Sequence, residues 1–278
     1  MPAARSATRA GVAAAAIALA LLAAGCSGPV APAAPDVAGP PAGAVVDYQL
    51  GGAYPPPTGV TGVIRDSTDV PAEGLWSGCY VNGFQSQPDA RDTWLDDRRE
   101  LVLAVDGEPV VDPGWPDELI LDTSTAERRA AIAAALEPTL RRCAESGFDA
   151  VEIDNLDSYT RSAGALDEDD AIALATLYAQ SAHRLGLAIA QKNAAELSDR
   201  ARTEAGFDFA VAEECHRFDE CGVYTRVYGD AVIDVEYTDD LRGGFDDVCA
   251  DAGAPTSTIL RDRQLSTPDD PAYVFAAC

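Results

Sequence analysis

From residue 122 onward, helix-period and strand-period stretches alternate with glycine punctuation, and that order forces a mainly parallel sheet. Ser124 and Glu127 stand at capping-box spacing. Ile132, Leu136 and Leu140 then recur at helical intervals until Gly147. A strand over 149–154 follows, then a helix over 168–185 carrying Ile172, Leu177 and Leu185 and stopped by Gly186. A strand over 187–191, a helix over 194–205 closed by Gly206 and a strand over 207–212 continue the series. Further strand runs lie at 231–236 and 256–260, and upstream at 45–49, 62–65, 78–81, 101–105 and 118–121. A closed parallel barrel needs eight strands. Two of these runs are therefore expected outside it, 101–105 first.

The polar residues choose between a barrel and an open doubly wound sheet. The strand runs are apolar in their bodies and polar at their C-terminal ends: Asp47-Tyr48-Gln49, Arg65-Asp66, Asp122, Asp154-Asn155, Gln191-Lys192-Asn193, Glu213-Glu214, Glu236-Tyr237 and Arg261-Asp262-Arg263. A barrel gathers those ends at one mouth, where active sites lie; an open sheet scatters them along an edge. No G-x-G-x-x-G or P-loop supplies the usual reason for the open sheet. The expected fold is a single α/β domain, a (β/α)₈ TIM-type barrel with minor extra strands, over residues 45–278.

Alternation puts Glu152 and Asp154 on one face of their strand, with Val151 and Ile153 toward the helices. A carboxylate inside a barrel is costly unless partnered or functional. Asp154, at the strand end, is read as catalytic, and Glu152, one layer deeper, as a salt-bridged core carboxylate. A second carboxylate two units later, Glu213 or Glu214, would complete the pair that glycosidic cleavage requires. If Phe209 and Val211 face the helices, Glu214 is the inward one, unless a bulge exchanges the two. Lys192 is the single lysine in a chain whose Lys and Arg total 20. It shares a face with Ala188 and Ala190, and is expected to tune the pair, to form a structural ion pair or, in a rival lyase reading, to form a Schiff base. Tyr48, Tyr80, Tyr159, Tyr237 and Trp115 lie near strand ends and suit sugar rings. Two histidines and no G-x-S-x-G give a serine triad little support. No metal or other cofactor is expected, because the spacing of Cys215, His216 and Cys221 is wrong for one and a disulfide competes.

The ends place the chain outside the cytoplasm. Arg5, Arg9 and the apolar stretch 11–24 predict a signal peptide over 1–25. Leu22-Ala23-Ala24-Gly25-Cys26 reads as a bacterial lipobox with Cys26 lipidated, an ordinary signal-peptidase cut being the alternative. Residues 26–44, rich in Pro, Ala and Gly, then form a linker, so contact with the membrane is expected only through the anchor. Cys79, Cys143, Cys215, Cys221, Cys249 and Cys278 remain as disulfide candidates. Cys215 and Cys221 can close a small loop, and Cys249–Cys278 would tie the C-terminus and leave Cys79–Cys143, but sequence does not choose among the pairings. A net charge of −26 argues against nucleic acid as a partner and is compatible with a cationic substrate.

Asp47-Tyr48-Gln49-Leu50, the run from Gly147 to Asn155, Gln191-Lys192-Asn193, the run from Phe207 to Cys215 and Val235-Glu236-Tyr237 together resemble glycoside hydrolase family 114, the endo-α-1,4-polygalactosaminidase-like enzymes. The resemblance implies a (β/α)₈ barrel and endo-cleavage of α-1,4-linked galactosamine polymers. It maps the catalytic pair to Asp154 and Glu213 and overrules the alternation count; the expected enzyme is retaining, with Asp154 as nucleophile and Glu213 as acid/base. Substrate-binding candidates are Tyr48, Asp66, Tyr80, Asn155, Asp157, Tyr159, Lys192, Glu236 and Tyr237. The segment 83–115 departs from the family pattern. A monomer binding a cationic galactosamine polysaccharide is the expectation, with a non-catalytic sugar-binding barrel as the alternative.

Overall fold

The computed structural model describes Met1, Ala3 and residues 37–278. The expected signal peptide, Cys26 and the linker as far as residue 36 fall outside the described residues.

Among the described residues eleven strands follow one another: β1 (Val46–Gln49), β2 (Gly62–Asp66), β3 (Trp76–Asn82), β4 (Ala104–Val105), β5 (Glu108–Pro109), β6 (Ala150–Asp154), β7 (Ala188–Lys192), β8 (Phe209–Glu213), β9 (Val232–Tyr237), β10 (Ser257–Arg261) and β11 (Phe275–Ala277). Their order in the main sheet is β1-β2-β3-β6-β7-β8-β9-β10-β11. The first eight of these run parallel, and β11 pairs antiparallel to β10. The fold is the expected TIM-type barrel, nearly closed.

Two of the ten sequence runs do fall outside the barrel. The 101–105 run ends in the small β4–β5 hairpin. The 118–121 run makes only isolated bridges, Gln85↔Ile120, Val102↔Leu121 and Val111↔Leu119. Both belong to an insertion between β3 and the next barrel helix, buried in part by Leu103, Ile120 and Leu166.

Helices α1 (Arg91–Asp97), α2 (Ala126–Ser146), α3 (Glu168–Arg184), α4 (Ser198–Arg200), α5 (Cys221–Tyr228) and α6 (Phe245–Ala250) accompany the strands. The start of α2 corrects the sequence reading. Thr125, not Ser124, is its cap, and its hydroxyl accepts from Arg128 N. The true capping box is Asp167–Asp170, at the start of α3. Gly147 and Gly206 do close helical segments in the left-handed region, at φ 93° and 89°.

Two apolar layers result. The interior holds Val46, Tyr48, Ile64, Trp76, Ala150, Ala188, Ala190, Phe209, Val211, Ile233 and Val235. The outer layer, against the helices, holds Val151, Ile153, Ala210 and Ala212 among others. Here the alternation count for β8 fails: Phe209 and Val211 point inward, so Glu213 points inward with them. Ala188 and Ala190 leave space in the interior, and Phe209 fills it edge-on against Trp76, with ring centroids 5.7 Å apart.

Among the described residues no ladder joins β1 to β10. The fully buried Arg261 stitches that seam instead. Its guanidinium donates to Asp47 Oδ1 at 3.0 Å, to the carbonyl of Tyr48, and to the carbonyls of Val274 and Ser266 at 2.9 Å each. Arg261→Met leaves Asp47 buried without its cation and is expected to destabilise the barrel by about 3–5 kcal/mol in urea unfolding.

The three disulfides are Cys79–Cys143, from β3 to α2; Cys215–Cys221, from the loop after β8 to α5; and Cys249–Cys278, from α6 to the C-terminus. With both thiols of Cys215 and Cys221 bonded to each other, their approach to Asp234 is not a thiolate metal site.

Candidate active site

Strands β6, β7 and β8 each end on an inward polar side chain, followed at once by a residue in the left-handed region. Asp154 precedes Asn155 at φ 68°, Lys192 precedes Asn193 at φ 50°, and Glu213 precedes Glu214 at φ 61°. Such backbone costs energy for a residue with a Cβ and tends to gather at functional sites. Each turn takes the chain out of the barrel directly after the side chain that faces the mouth.

Lys192 lies at the centre. Its Nζ is 3.1 Å from Glu213 Oε2, 3.8 Å from Asp154 Oδ1, 3.4 Å from Glu152 Oε1 and 3.1 Å from the Tyr48 hydroxyl. Burial opposes its charge, but Asp154, Glu213 and Glu152 outweigh burial and hold the ammonium well above the usual lysine range. Glu152 lies fully buried beneath, accepting from Tyr48 at 2.6 Å. Burial pushes its carboxyl up to about 7 against the pull of Lys192 and Tyr48.

Each strand-end carboxylate carries its own tyrosine. Tyr80 donates to Asp154 Oδ2 at 2.6 Å, and the backbone N–H of Asn155 donates to Oδ1 at 2.7 Å. Tyr237 donates to Glu213 Oε1, and Asn193 Nδ2 donates to Oε2 at 3.0 Å. Burial works against the charge of Glu213, yet Lys192, Tyr237 and Asn193 together hold its carboxyl below the ordinary glutamate value.

These groups line a cavity of about 660 Å³ at the barrel mouth. Of the sequence candidates, Asp66, Tyr80, Asp154, Asn155, Asp157, Lys192, Glu213 and Tyr237 reach it. Three do not. Tyr48 lies fully buried beneath Lys192. Tyr159 turns outward and donates to Glu196 at 2.8 Å. Glu236 sits on the outer face of β9, where its carboxylate accepts from the backbone N–H of His216 at 2.8 Å and secures the loop after β8. It stands one residue from the inward Tyr237, and alternation sends it the other way. Glu214 is also separated from the pair: it accepts both guanidinium ends of Arg263, at 2.8 and 2.9 Å, and Arg263 lies 4.3 Å from the centroid of the Tyr237 ring.

The wall opposite comes from the insertion and the loop after β6, which strand-end reasoning does not reach. Asp112, Trp115 and Glu118 line the cavity from the insertion, and Arg161 joins them. Arg161 pairs with both Asp112 and Asp157. Of these four, Trp115, 66% exposed, is the one named from the sequence, as an aromatic near a strand end.

A parallel barrel whose mouth presents two carboxylates around one buried ammonium, flanked by tyrosines and an exposed indole, is the architecture of a glycoside hydrolase. The chain belongs to Glycoside-hydrolase family GH114, which it matches over residues 27–278. Among solved structures it is similar to Ega3 of Aspergillus fumigatus, solved in complex with galactosamine, at 21% identity and a TM-score of 0.67 over 86% of this chain and 96% of that one. It is also similar to the glycoside hydrolase domain of PelA from Pseudomonas aeruginosa, at 16% identity and a TM-score of 0.58 over 82% and 97%. No curated protein matches the chain.

Proposed function

We propose that this hydrolase cleaves α-1,4-linked galactosamine-containing polysaccharide within the chain, using Asp154 and Glu213. The observation that carries the reading is the shared ammonium. Asp154 Oδ1 and Glu213 Oε2 both lie within hydrogen-bonding or ion-pair reach of Lys192 Nζ. That arrangement keeps the two carboxylates close enough to act on one glycosidic bond, and we propose that they do so with retention. Family membership and the galactosamine bound by Ega3 support the substrate class.

The donor set argues for a division of labour opposite to the one expected from the sequence. Glu213, with three side-chain donors and the shorter contact to Lys192, suits the partner that stays ionised and attacks. Asp154 is then the proposed acid/base partner. A Schiff-base lyase through Lys192 is disfavoured, because a nucleophilic amine must be neutral and this one is held as ammonium by three carboxylates.

We further infer an exported, monomeric enzyme tethered through lipidated Cys26. The three disulfides support an oxidising compartment. Incubation with partly deacetylated α-1,4-galactosaminan tests the function: new reducing ends with an early fall in mean chain length are expected. Tight polymer binding without new reducing ends would leave a sugar-binding barrel instead.

A further inference from the structure

The insertion between β3 and α2 contributes one carboxyl to the cavity that, among the described residues, has no ion-pair partner. Glu118 is 8% exposed and lines the cleft. Asn82 Nδ2 donates to its Oε2 at 2.8 Å, and among the described residues its Oε1 has no hydrogen-bond or ion-pair partner. The other acidic groups of the wall are satisfied. Asp112 takes Gln85, the backbone N–H of Gly114 and Arg161. Asp157 takes Arg161 at 2.7 Å, and Asp66 takes Thr68 at 2.7 Å and Gln87 at 3.3 Å. Arg161, the cation in this wall, is occupied by two partners already.

Burial pushes the Glu118 carboxyl up to about 7 against the hydrogen bond from Asn82, and a ligand cation at the free oxygen would favour its ionised form. The position is rigid, because Glu118 N–H donates to Trp115 O at 2.8 Å and Glu118 O accepts from Asp112 N at 3.0 Å. The same turn holds the exposed Trp115 indole at the lip, where it offers a flat apolar face to a sugar ring.

We propose that Glu118 and Trp115 form a subsite for a protonated 2-amino sugar, in which the free Glu118 oxygen accepts from the ammonium and so selects the deacetylated residue over its N-acetylated form. An acetamide brings no charge to that oxygen and leaves it buried without a cation. The proposal rests on the galactosaminan reading above and names which state of that polymer the cleft selects.

Glu118→Gln keeps an oxygen to accept from Asn82 and removes only the charge. With deacetylated and N-acetylated oligosaccharides of equal length, the variant is expected to raise KM for the deacetylated chain about tenfold, the effect of losing one charge-assisted hydrogen bond, and to shift KM for the acetylated chain less than about twofold. An equal change on both substrates, or a fall in kcat and melting temperature in place of a KM effect, overturns the subsite. A wild-type enzyme that cleaves neither chain overturns the substrate reading itself, and the two failures are told apart by the wild-type rate alone.

Discussion

Asp154→Asn is expected to lower kcat on galactosaminan by about 10³-fold or more while the barrel stays folded. The substitution removes an ionisable oxygen and little else. The asparagine carbonyl can still accept from Tyr80 or from the N–H of Asn155, which now meet Asp154 at 2.6 and 2.7 Å. The strand is fixed from both sides, with β6 paired to β3 and to β7. A large kinetic loss with an unaltered unfolding midpoint is therefore the signature of lost chemistry. Steady-state reducing-end assays and urea unfolding on the same preparation measure both. Full activity in the asparagine variant would exclude Asp154 from the pair.

Lys192→Met is expected to act on both catalysis and stability, in directions set by charge. Among the described residues the lysine is the one cation in contact with Glu152, Asp154 and Glu213. Without it three carboxyls face one another, with Glu152 fully buried and Asp154 and Glu213 at the cavity wall. A carboxyl held low in the folded state contributes stability above its unfolded pKa, lost as pH falls through the folded value. Glu213 is such a group in the wild type, and the substitution reverses its position. Its carboxyl then rises, so the acid limb of kcat/KM should move to higher pH. The destabilisation, on the order of 3–5 kcal/mol for an uncompensated buried charge, should be largest at neutral and alkaline pH and shrink as the carboxyls protonate. Glu152, already pushed up to about 7, should take its proton first. A variant with an unmoved acid limb would mean that Lys192 does not tune the pair.

Much of this was legible in the sequence because a barrel repeats one rule. Apolar strand bodies with polar C-terminal ends marked Asp154, Lys192 and the Glu213–Glu214 pair, and the structure brings Asp154, Lys192 and Glu213 together. The parity of β8 was not legible. Its alternation sets Phe209 and Val211 against Ala210 and Ala212, and alanine suits either layer: Ala188 and Ala190 face inward while Ala210 and Ala212 face the helices. Only the space left beside Trp76 decides that Phe209 turns in. Glu236 misled for a related reason, since polarity at a strand end says nothing of which side of the strand a residue takes.

The insertion was opaque because its order depends on contacts that no local pattern encodes. Leu119, Ile120 and Leu121 bridge to Val111, Gln85 and Val102 in turn. Glu118 reaches the cleft only through that arrangement. Strand β11 is short and antiparallel, and sits where Cys278 is tied to Cys249 and where Arg261 holds the carbonyl of Val274. Its residues carry no pattern longer than three positions.

The central claim is that the carboxylates around Lys192 perform the hydrolysis. Trapping with a fluorinated 2-amino-2-deoxygalactosyl fluoride, followed by peptide mass mapping, tests it most directly. A covalent adduct on the peptide carrying Glu213 is predicted, removed by mild base as an ester. An adduct on Asp154 would reverse the division of roles and keep the pair. An adduct on Lys192, or continued turnover of the fluoride with neither carboxylate labelled, would contradict the account.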